Sequence, residues 1–128
     1  MHKDKLDAVS GQVVDAAMRV HSALGPGLLE SAYAACLAYE LRDRGLTVRT
    51  QVPLPVVYRD VHVEAGYRID LLVEEEVVAE LKAITKLAPI HEAQLLSYLR
   101  LADKRVGLLI NFHVSHLKDG IKRMVNGI

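Results

Sequence analysis

The chain has 128 residues, 51% of them hydrophobic, which is enough to bury one sizeable core and predicts a single domain over residues 1–128. Its 16 basic and 16 acidic side chains balance, which disfavours a nonspecific nucleic-acid coat but not a nuclease, because a metal site itself contributes acids. The single cysteine, Cys36, excludes an internal disulfide, and the lack of a signal peptide or long apolar run predicts a cytoplasmic protein without membrane association.

The first helix is predicted over Leu6 to Leu24, after a polar and frayed stretch over residues 1–5. Its apolar residues recur at the three- and four-residue spacing of one helix face, and Gly25-Pro26-Gly27 ends it. His21 lies in the last turn, where a histidine is favoured by the helix C-terminus. The alternative is a role for His21 in a functional site.

A second helix is predicted over Leu28 to Arg44, ended by Gly45. Its Ala-rich sequence makes Cys36 most simply a small buried hydrophobe. Glu30 begins an otherwise apolar, inward-facing stripe. It either complements the helix macrodipole in the first turn or aims a carboxylate at the sheet.

Leu46 to Tyr58 is predicted to form a strand that carries Pro53 and Pro55. Proline cannot donate to a strand ladder, so this strand belongs at a sheet edge or contains a bulge. Arg59-Asp60 is predicted to form the turn that follows it.

A hairpin centred on Glu75 is predicted over Val61 to Ile84. Odd-numbered residues of its first strand share one face, and even-numbered residues share the other. This register places Asp70 directly opposite Glu80. Two bare carboxylates about 5 Å apart repel by roughly 3 kcal/mol at an effective dielectric of about 20, so we expect a compensating partner.

Lys82 lies two residues after Glu80 and points to the same side. A divalent cation would offset the repulsion between Asp70 and Glu80, because hard cations take carboxylate oxygens as ligands. Asp70 followed by Glu80-x-Lys82 therefore indicates a metal site for phosphodiester chemistry. The alternative is a solvated polar face on which Lys82 only pairs with Glu80.

A helix, a strand and a helix complete the chain. The third long helix is predicted over Pro89 to Ala102, where Gln94 and Tyr98 either reach the same neighbour or lie on the helix surface. Lys104 to Phe112 is nearly all apolar at its centre, which predicts an inner strand covered on both faces. His113 to Ile128 is predicted to form a short amphipathic helix.

The predicted order is helix, helix, three strands, helix, strand, helix. An antiparallel meander followed by a helical crossover predicts an α/β (α+β) fold, with a central mixed four-stranded sheet flanked by helices.

These residues, in this order, resemble the PD-(D/E)XK nuclease superfamily, whose restriction-endonuclease-like core is helix, three strands, helix, strand. The family motif is an Asp followed by Glu-x-Lys on the next strand, which Asp70, Glu80 and Lys82 match. The residue before the Asp is often Pro in the family and is Ile69 here. Members of the family often add a Glu from the helix before the sheet, and Glu30 is its counterpart.

A narrower resemblance lies in the stretch HSALGPGLLESAY, which looks like the signature of the bacterial GxxExxY proteins. Gly27, Glu30 and Tyr33 carry that pattern, and His21 and Gly25-Pro26 precede it as expected. The similarity covers nearly the whole chain. It implies a fold and a site more firmly than a biological role.

The resemblance implies a Mg²⁺- or Mn²⁺-dependent phosphodiesterase that acts on nucleic acid, with DNA favoured over RNA. Asp70, Glu80 and Glu30 would bind metal, with the Leu81 carbonyl as a further candidate ligand. Lys82 would orient the attacking water or stabilise the developing oxyanion.

Five further residues are expected to position the substrate. Gln94 and Tyr98 match the Gln-x-x-x-Tyr spacing of some exonuclease-like members of the superfamily, and they could also brace Lys82. The others are Tyr33, His21 and Arg68. Arg68 could contact phosphate or only pair with Glu64.

Two other classes of function stay open. One is a non-catalytic binding or regulatory module on a nuclease-like scaffold, which the small size and balanced charge favour. The other is a structural oligomer whose acidic hairpin is merely solvated. Restriction-type members of the superfamily often pair, and the first helix could supply a homodimer interface of that kind.

Overall fold

A computed structural model of the chain describes residues 2–127. Within this range the structure has three α-helices, seven strands and a short 3₁₀ helix over Leu117–Gly120. The elements in chain order are α1 (His2–Leu24), α2 (Glu30–Asp43), β1 (Val48–Pro53), β2 (Val56–Tyr58), β3 (Val61–Val63), β4 (Arg68–Val73), β5 (Val77–Lys82), α3 (Pro89–Ala102), β6 (Val106–Asn111) and β7 (Ile121–Val125).

Five of the strands form one mixed sheet in the order β1-β4-β5-β6-β7. The β5–β6 pair is parallel and the other three pairs are antiparallel. A parallel pair needs a crossover connection, which α3 provides between β5 and β6. The predicted mixed sheet flanked by helices is confirmed, with one strand more than the four expected.

Helices cover both faces of this sheet. One apolar cluster joins α1 and α2 to residues such as Leu71, Ala79 and Leu108. The other joins α3 to residues such as Val78 and Leu109. Because successive strand residues point to opposite faces, α1 and α2 lie on one side of the sheet and α3 on the other. The inner position predicted for β6 is confirmed, since all six of its residues are buried.

The two ends of the chain differ from the sequence prediction. Residues 2–5 belong to α1 and are not frayed, because Leu6 inserts into the core and Asp4 lies in the first turn, where an acid stabilises the helix. The helix predicted for the last segment is wrong: β7 extends the sheet there instead, pairing with β6. Ile128 lies outside the described residues.

The glycine that precedes β7 explains how this strand reaches the sheet. A Cβ on Gly120 would collide with the carbonyl oxygen of Asn111, so only glycine allows the backbone to approach this closely. The approach brings the last segment alongside β6, which would otherwise present an open edge. Pairing with β6 therefore decides the structure of a segment whose local pattern is typical of a helix.

The strands around the prolines are shorter than predicted. Leu54, buried near α3, and Pro55 interrupt the strand predicted over Leu46 to Tyr58, and β1 alone forms the sheet edge. The strand predicted from Val61 is interrupted at Gly66, whose φ of 81° is left-handed. The intervening pieces, β2 and β3, pair only with each other in a separate ribbon.

Two further expectations are wrong. Cys36 is exposed, because it lies on the side of α2 that faces away from the buried residues Tyr33 and Leu37. Ile69 packs with the α3 cluster, whereas Leu71 packs with α1 and α2, so the alternation of β4 changes at the residue between them. In the described part of the chain, no helix has the length and apolar character needed to cross a membrane.

Candidate active site

The β4–β5 hairpin positions the predicted acids at the end of its ladder. Leu71 pairs with Ala79 and Val73 with Val77, so the hairpin is centred on Glu75, as predicted. Glu74 and Glu75 have left-handed φ values of 54° and 55°, and the Glu76 N–H donates to the Val73 carbonyl at 3.0 Å, which closes the turn over residues 74–76. Continuing this register by one residue places Asp70 opposite Glu80.

The carboxylates themselves bridge the two strands at this point. Glu80 Oε2 accepts a hydrogen bond from the backbone N–H of Asp70 at 2.8 Å, and Asp70 Oδ2 accepts one from the N–H of Leu81 at 2.9 Å. Side-chain oxygens therefore replace backbone carbonyls where the β4–β5 pairing ends. Each carboxylate keeps its second oxygen free of these backbone donors.

Burial makes this pair electrostatically unfavourable without a partner. Glu80 is only 5% exposed. Loss of solvent, and then the nearby Asp70, raise its pKa to about 8. The pKa of Asp70 is also raised by burial, against the opposing effects of the Leu81 N–H and Lys82. A nearby positive charge would therefore stabilise the ionised forms of these two desolvated carboxylates.

Lys82 supplies one positive charge without forming an ion pair. Its Nζ lies 3.4 Å from Gln94 Oε1, and within residues 2–127 it has no salt bridge to Glu80. Its charge still lowers the pKa of both Asp70 and Glu80. The alternative of a solvated face with a Lys82–Glu80 ion pair does not fit this geometry, because Glu80 is buried.

The structure brings Glu30 to the same end of β5. Glu30 is the first residue of α2, and its Oε2 accepts a hydrogen bond from the Ala83 N–H at 3.1 Å. Its charge contributes to the raised pKa of both Asp70 and Glu80. Glu30, Gln51 and Asp70 line one cavity of about 480 Å³ on the α2 side of the sheet.

On the other side, α3 places Tyr98 and Gln94 beside Lys82. Tyr98 is 7% exposed, so it is not a helix-surface residue. Burial raises the pKa of Tyr98, and the nearby Glu80 raises it further. Gln94 and Tyr98 therefore face Lys82 and Glu80, the two motif residues of β5.

The sequence of the chain matches one family of known proteins. A family model of the PD-(D/E)XK nuclease superfamily matches residues 7–124. The chain belongs to the PD-(D/E)XK nuclease superfamily. No curated protein and no solved structure matches it.

In this superfamily member, Tyr33 lies behind the site. Its ring is fully buried and stacks on Phe112, with the ring centroids 4.3 Å apart. Its hydroxyl donates to the Gly25 carbonyl and accepts from the Leu28 N–H at 3.2 Å. Tyr33 thus fixes the loop that leads into Glu30, and its contacts are with the protein.

His21 and Arg68 are not joined to the carboxylate pair by any hydrogen bond in the described residues. The buried His21 lies 2.8 Å, through Nε2, from the Val114 carbonyl, so it links α1 to the loop after β6. Arg68 is exposed at the start of β4, and the structure shows no ion pair between it and Glu64.

Two residues beside the candidate site, Gln51 and Asn111, were not predicted from the sequence. Gln51 approaches Asp70 with its Nε2 3.5 Å from Oδ1, and its own φ of 52° is left-handed. Asn111 is 2% exposed. Its Oδ1 accepts a hydrogen bond from the Ile84 N–H, and its Nδ2 donates one to the Ile84 carbonyl. It thereby fixes the segment just after Lys82. The one available hint is the polar Asn at the end of an otherwise apolar strand.

The donor set suits a hard divalent cation. Asp70 and Glu80 offer buried carboxylate oxygens, and the charge of Lys82 offsets only part of the effect of burial and repulsion on Glu80. Hard carboxylate oxygens are the ligands that Mg²⁺ binds. Among residues 2–127, no group of three His, Cys, Asp or Glu side chains is arranged to hold a metal. Mg²⁺ is commonly held by one or two carboxylates together with waters and substrate phosphates. The Asp70–Glu80 pair therefore provides enough protein ligands for this cation.

Proposed function

We propose that this chain is a metal-dependent nuclease that hydrolyses phosphodiester bonds in nucleic acid. The observation that carries the proposal is the buried Asp70–Glu80 pair beside an unpaired Lys82, in a chain that belongs to a nuclease superfamily. Burying unpaired charge is expensive, and strongly perturbed pKa values cluster at functional sites, so a buried pair of acids favours a functional role.

Asp70 and Glu80 would hold Mg²⁺ or Mn²⁺, with Glu30 and the Leu81 carbonyl as further candidate ligands. Such a cation lowers the pKa of water and neutralises charge on a phosphate. For Glu30 to contribute, its carboxylate would need to leave the Ala83 N–H or use its second oxygen.

Lys82 would act on the reacting groups. Its ammonium can orient the attacking water or stabilise the charge that develops on the phosphate oxygens. Gln94 accepts from Nζ and so limits where the ammonium can point. Tyr98 and Glu80 are both buried on this side of the site, and charges interact more strongly where water is excluded.

The finer assignment to the GxxExxY proteins is part of this proposal. The pattern has a clear structural role here: Gly27, at a φ of 108°, shapes the loop, Tyr33 holds it, and Glu30 follows it. DNA as the favoured substrate, a cytoplasmic location and a homodimer through α1 remain predictions.

The test is cleavage of labelled DNA and RNA, single-stranded and duplex, with Mg²⁺ or Mn²⁺. Lys82→Ala should lose cleavage while its circular dichroism and melting temperature stay near wild type. Lys86→Ala is the matched control, since this exposed lysine lies in the same segment of the chain. Undiminished cleavage by Lys82→Ala would exclude the role given to Lys82.

One observation favours a second function, a non-catalytic binding module. Within residues 2–127 no third His, Cys, Asp or Glu joins Asp70 and Glu80 in a metal-binding group, and the Glu30 carboxylate accepts a hydrogen bond from the backbone. Calorimetry with Mn²⁺ separates the two functions. Binding that is lost in Asp70→Asn supports the nuclease, whereas a wild-type protein that neither binds metal nor cleaves, even with nucleic acid present, supports the module.

A further inference from the structure

A groove on the α3 side opens next to Lys82, on the opposite face of the sheet from the cavity that Asp70 lines. It has a volume of about 510 Å³ and includes Lys82, Gln94 and Tyr98. Most of its remaining surface is apolar, with Val56 of the small β2–β3 ribbon on one side. The size is within the range of small-molecule sites in proteins.

Tyr67 is the aromatic wall of this groove. It remains 44% exposed, and its ring centroid lies 6.0 Å from that of Tyr98 at an interplanar angle of 58°. Its backbone is fixed, because its carbonyl accepts a hydrogen bond from the Leu54 N–H at 2.9 Å. An exposed ring on a fixed backbone offers a ready contact surface at little entropic cost.

The combination of groups points to one chemical class of ligand. A positive Lys82 suits a phosphate, and an aromatic ring suits the flat face of a nucleobase. Both line the same groove. The chain has a formal net charge of +0, so its overall charge does not attract a phosphate backbone. Stacking on a base would add binding that the overall charge does not supply.

We propose that this groove is a nucleobase subsite, in which Tyr67 stacks on one unpaired base next to the phosphate that Lys82 contacts. The inference rests on the proposed nuclease function and names its substrate class. A base inside a duplex is stacked on both faces and paired at its edge, so it cannot enter such a groove without leaving the helix. The substrate is therefore single-stranded nucleic acid or an unpaired end.

The experiment compares steady-state cleavage of a short single strand with that of the same sequence in a closed duplex, with Mn²⁺. Wild type should cleave the single strand with the higher kcat/KM. Tyr67→Ala should lower kcat/KM on the single strand by roughly 5- to 150-fold, the effect of losing one base–aromatic stack. Tyr67→Phe should retain most of the activity, because it keeps the ring.

Two controls isolate stacking. Tyr39→Ala removes an exposed tyrosine on α2, 71% exposed and outside this groove, and should cleave like wild type. Single strands with abasic positions should lose the same factor with wild type, and lose nothing more with Tyr67→Ala, if the ring and the base act as a pair.

The outcomes separate the subsite from the nuclease function. Cleavage that depends on Lys82 but is unchanged in Tyr67→Ala overturns the subsite and leaves the nuclease standing. The groove would then be open to another partner, such as an apolar peptide. Equal preference for duplex and single strand overturns it as well. A wild-type protein that cleaves no nucleic acid overturns both proposals.

Discussion

The buried charge of Glu80 should dominate the pH dependence of stability when no metal is bound. Burial and Asp70 raise its pKa from 4.5 to about 8. The folded state then keeps a proton that the unfolded chain releases. The stabilisation from this proton is complete below about pH 4.5 and is lost as the pH rises toward about 8. At roughly 1.4 kcal/mol per pKa unit, the full loss is about 5 kcal/mol.

Glu80→Gln is the perturbation that isolates this effect. The amide keeps the shape of the side chain and an oxygen that can accept from the Asp70 N–H, but it carries no charge. Above about pH 8 we expect the metal-free variant to be more stable than wild type by several kcal/mol, and near pH ~4.5 the two should agree within about 1 kcal/mol. The variant also removes the repulsion by which the Asp70 charge raises the pKa of Glu80.

The assay is urea unfolding in EDTA over this pH range, followed by circular dichroism because the chain has no tryptophan. Glu64→Gln, at an exposed position before β4, is the matched control and should follow wild type. Mn²⁺ should stabilise wild type at alkaline pH and leave Glu80→Gln nearly unchanged. A stability difference between wild type and Glu80→Gln that is the same at every pH would refute the reasoning.

Two predictions concern the parts that hold the site in place. Tyr33→Phe removes the hydroxyl that joins Leu28 to Gly25, so we expect a loss of about 1–3 kcal/mol in urea unfolding, together with weaker cleavage. Unchanged stability would contradict the role of the hydroxyl. Gly120→Ala should destabilise the protein by about 3 kcal/mol or more, because its Cβ meets the Asn111 carbonyl. Gly11→Ala, within α1 and with open space around it, should instead be neutral or stabilising; similar losses in both variants would argue against the steric cause.

The sequence predicted the centre of the fold well because the local signals there agree with one another. The alternating apolar residues and the acidic turn fix the hairpin at Glu75, and the structure has the same centre. The predicted bounds of α3, Pro89 to Ala102, are confirmed. A continuous apolar strand such as β6 can only lie inside the sheet.

The errors occur where a distant part of the chain decides the structure. The last segment has a pattern compatible with a helix, but the edge of β6 and the close contact of Gly120 with Asn111 make it a strand. Residues 2–5 are helical since Leu6 is anchored in the core. Local periodicity contains none of this tertiary information.

The contacts of the residues that support the site could not be predicted from the sequence either. Gln51 approaches Asp70 because β1 pairs with β4, and no motif marks a glutamine in a strand. Asn111 acts on the backbone of Ile84, 27 positions away along the chain. A substrate-positioning role for Tyr33 stays a prediction, and its hydroxyl contacts with Gly25 and Leu28 become visible only in the folded loop.

The site lies where the regular sheet stops, and this position has a physical cause. Ile69 and Leu71 pack on opposite faces, so Asp70 sits at the change in alternation rather than on either apolar face. Glu80 lies opposite Asp70 where the β4–β5 pairing ends. Each carboxylate accepts a hydrogen bond from a backbone N–H of the neighbouring strand that has no carbonyl partner in the ladder. A hydrophobic pair at these positions would extend the sheet and remove the repulsion. The two acids therefore violate the local rule for strand pairing, as functional sites do, and the metal-free protein should gain stability when either charge is removed.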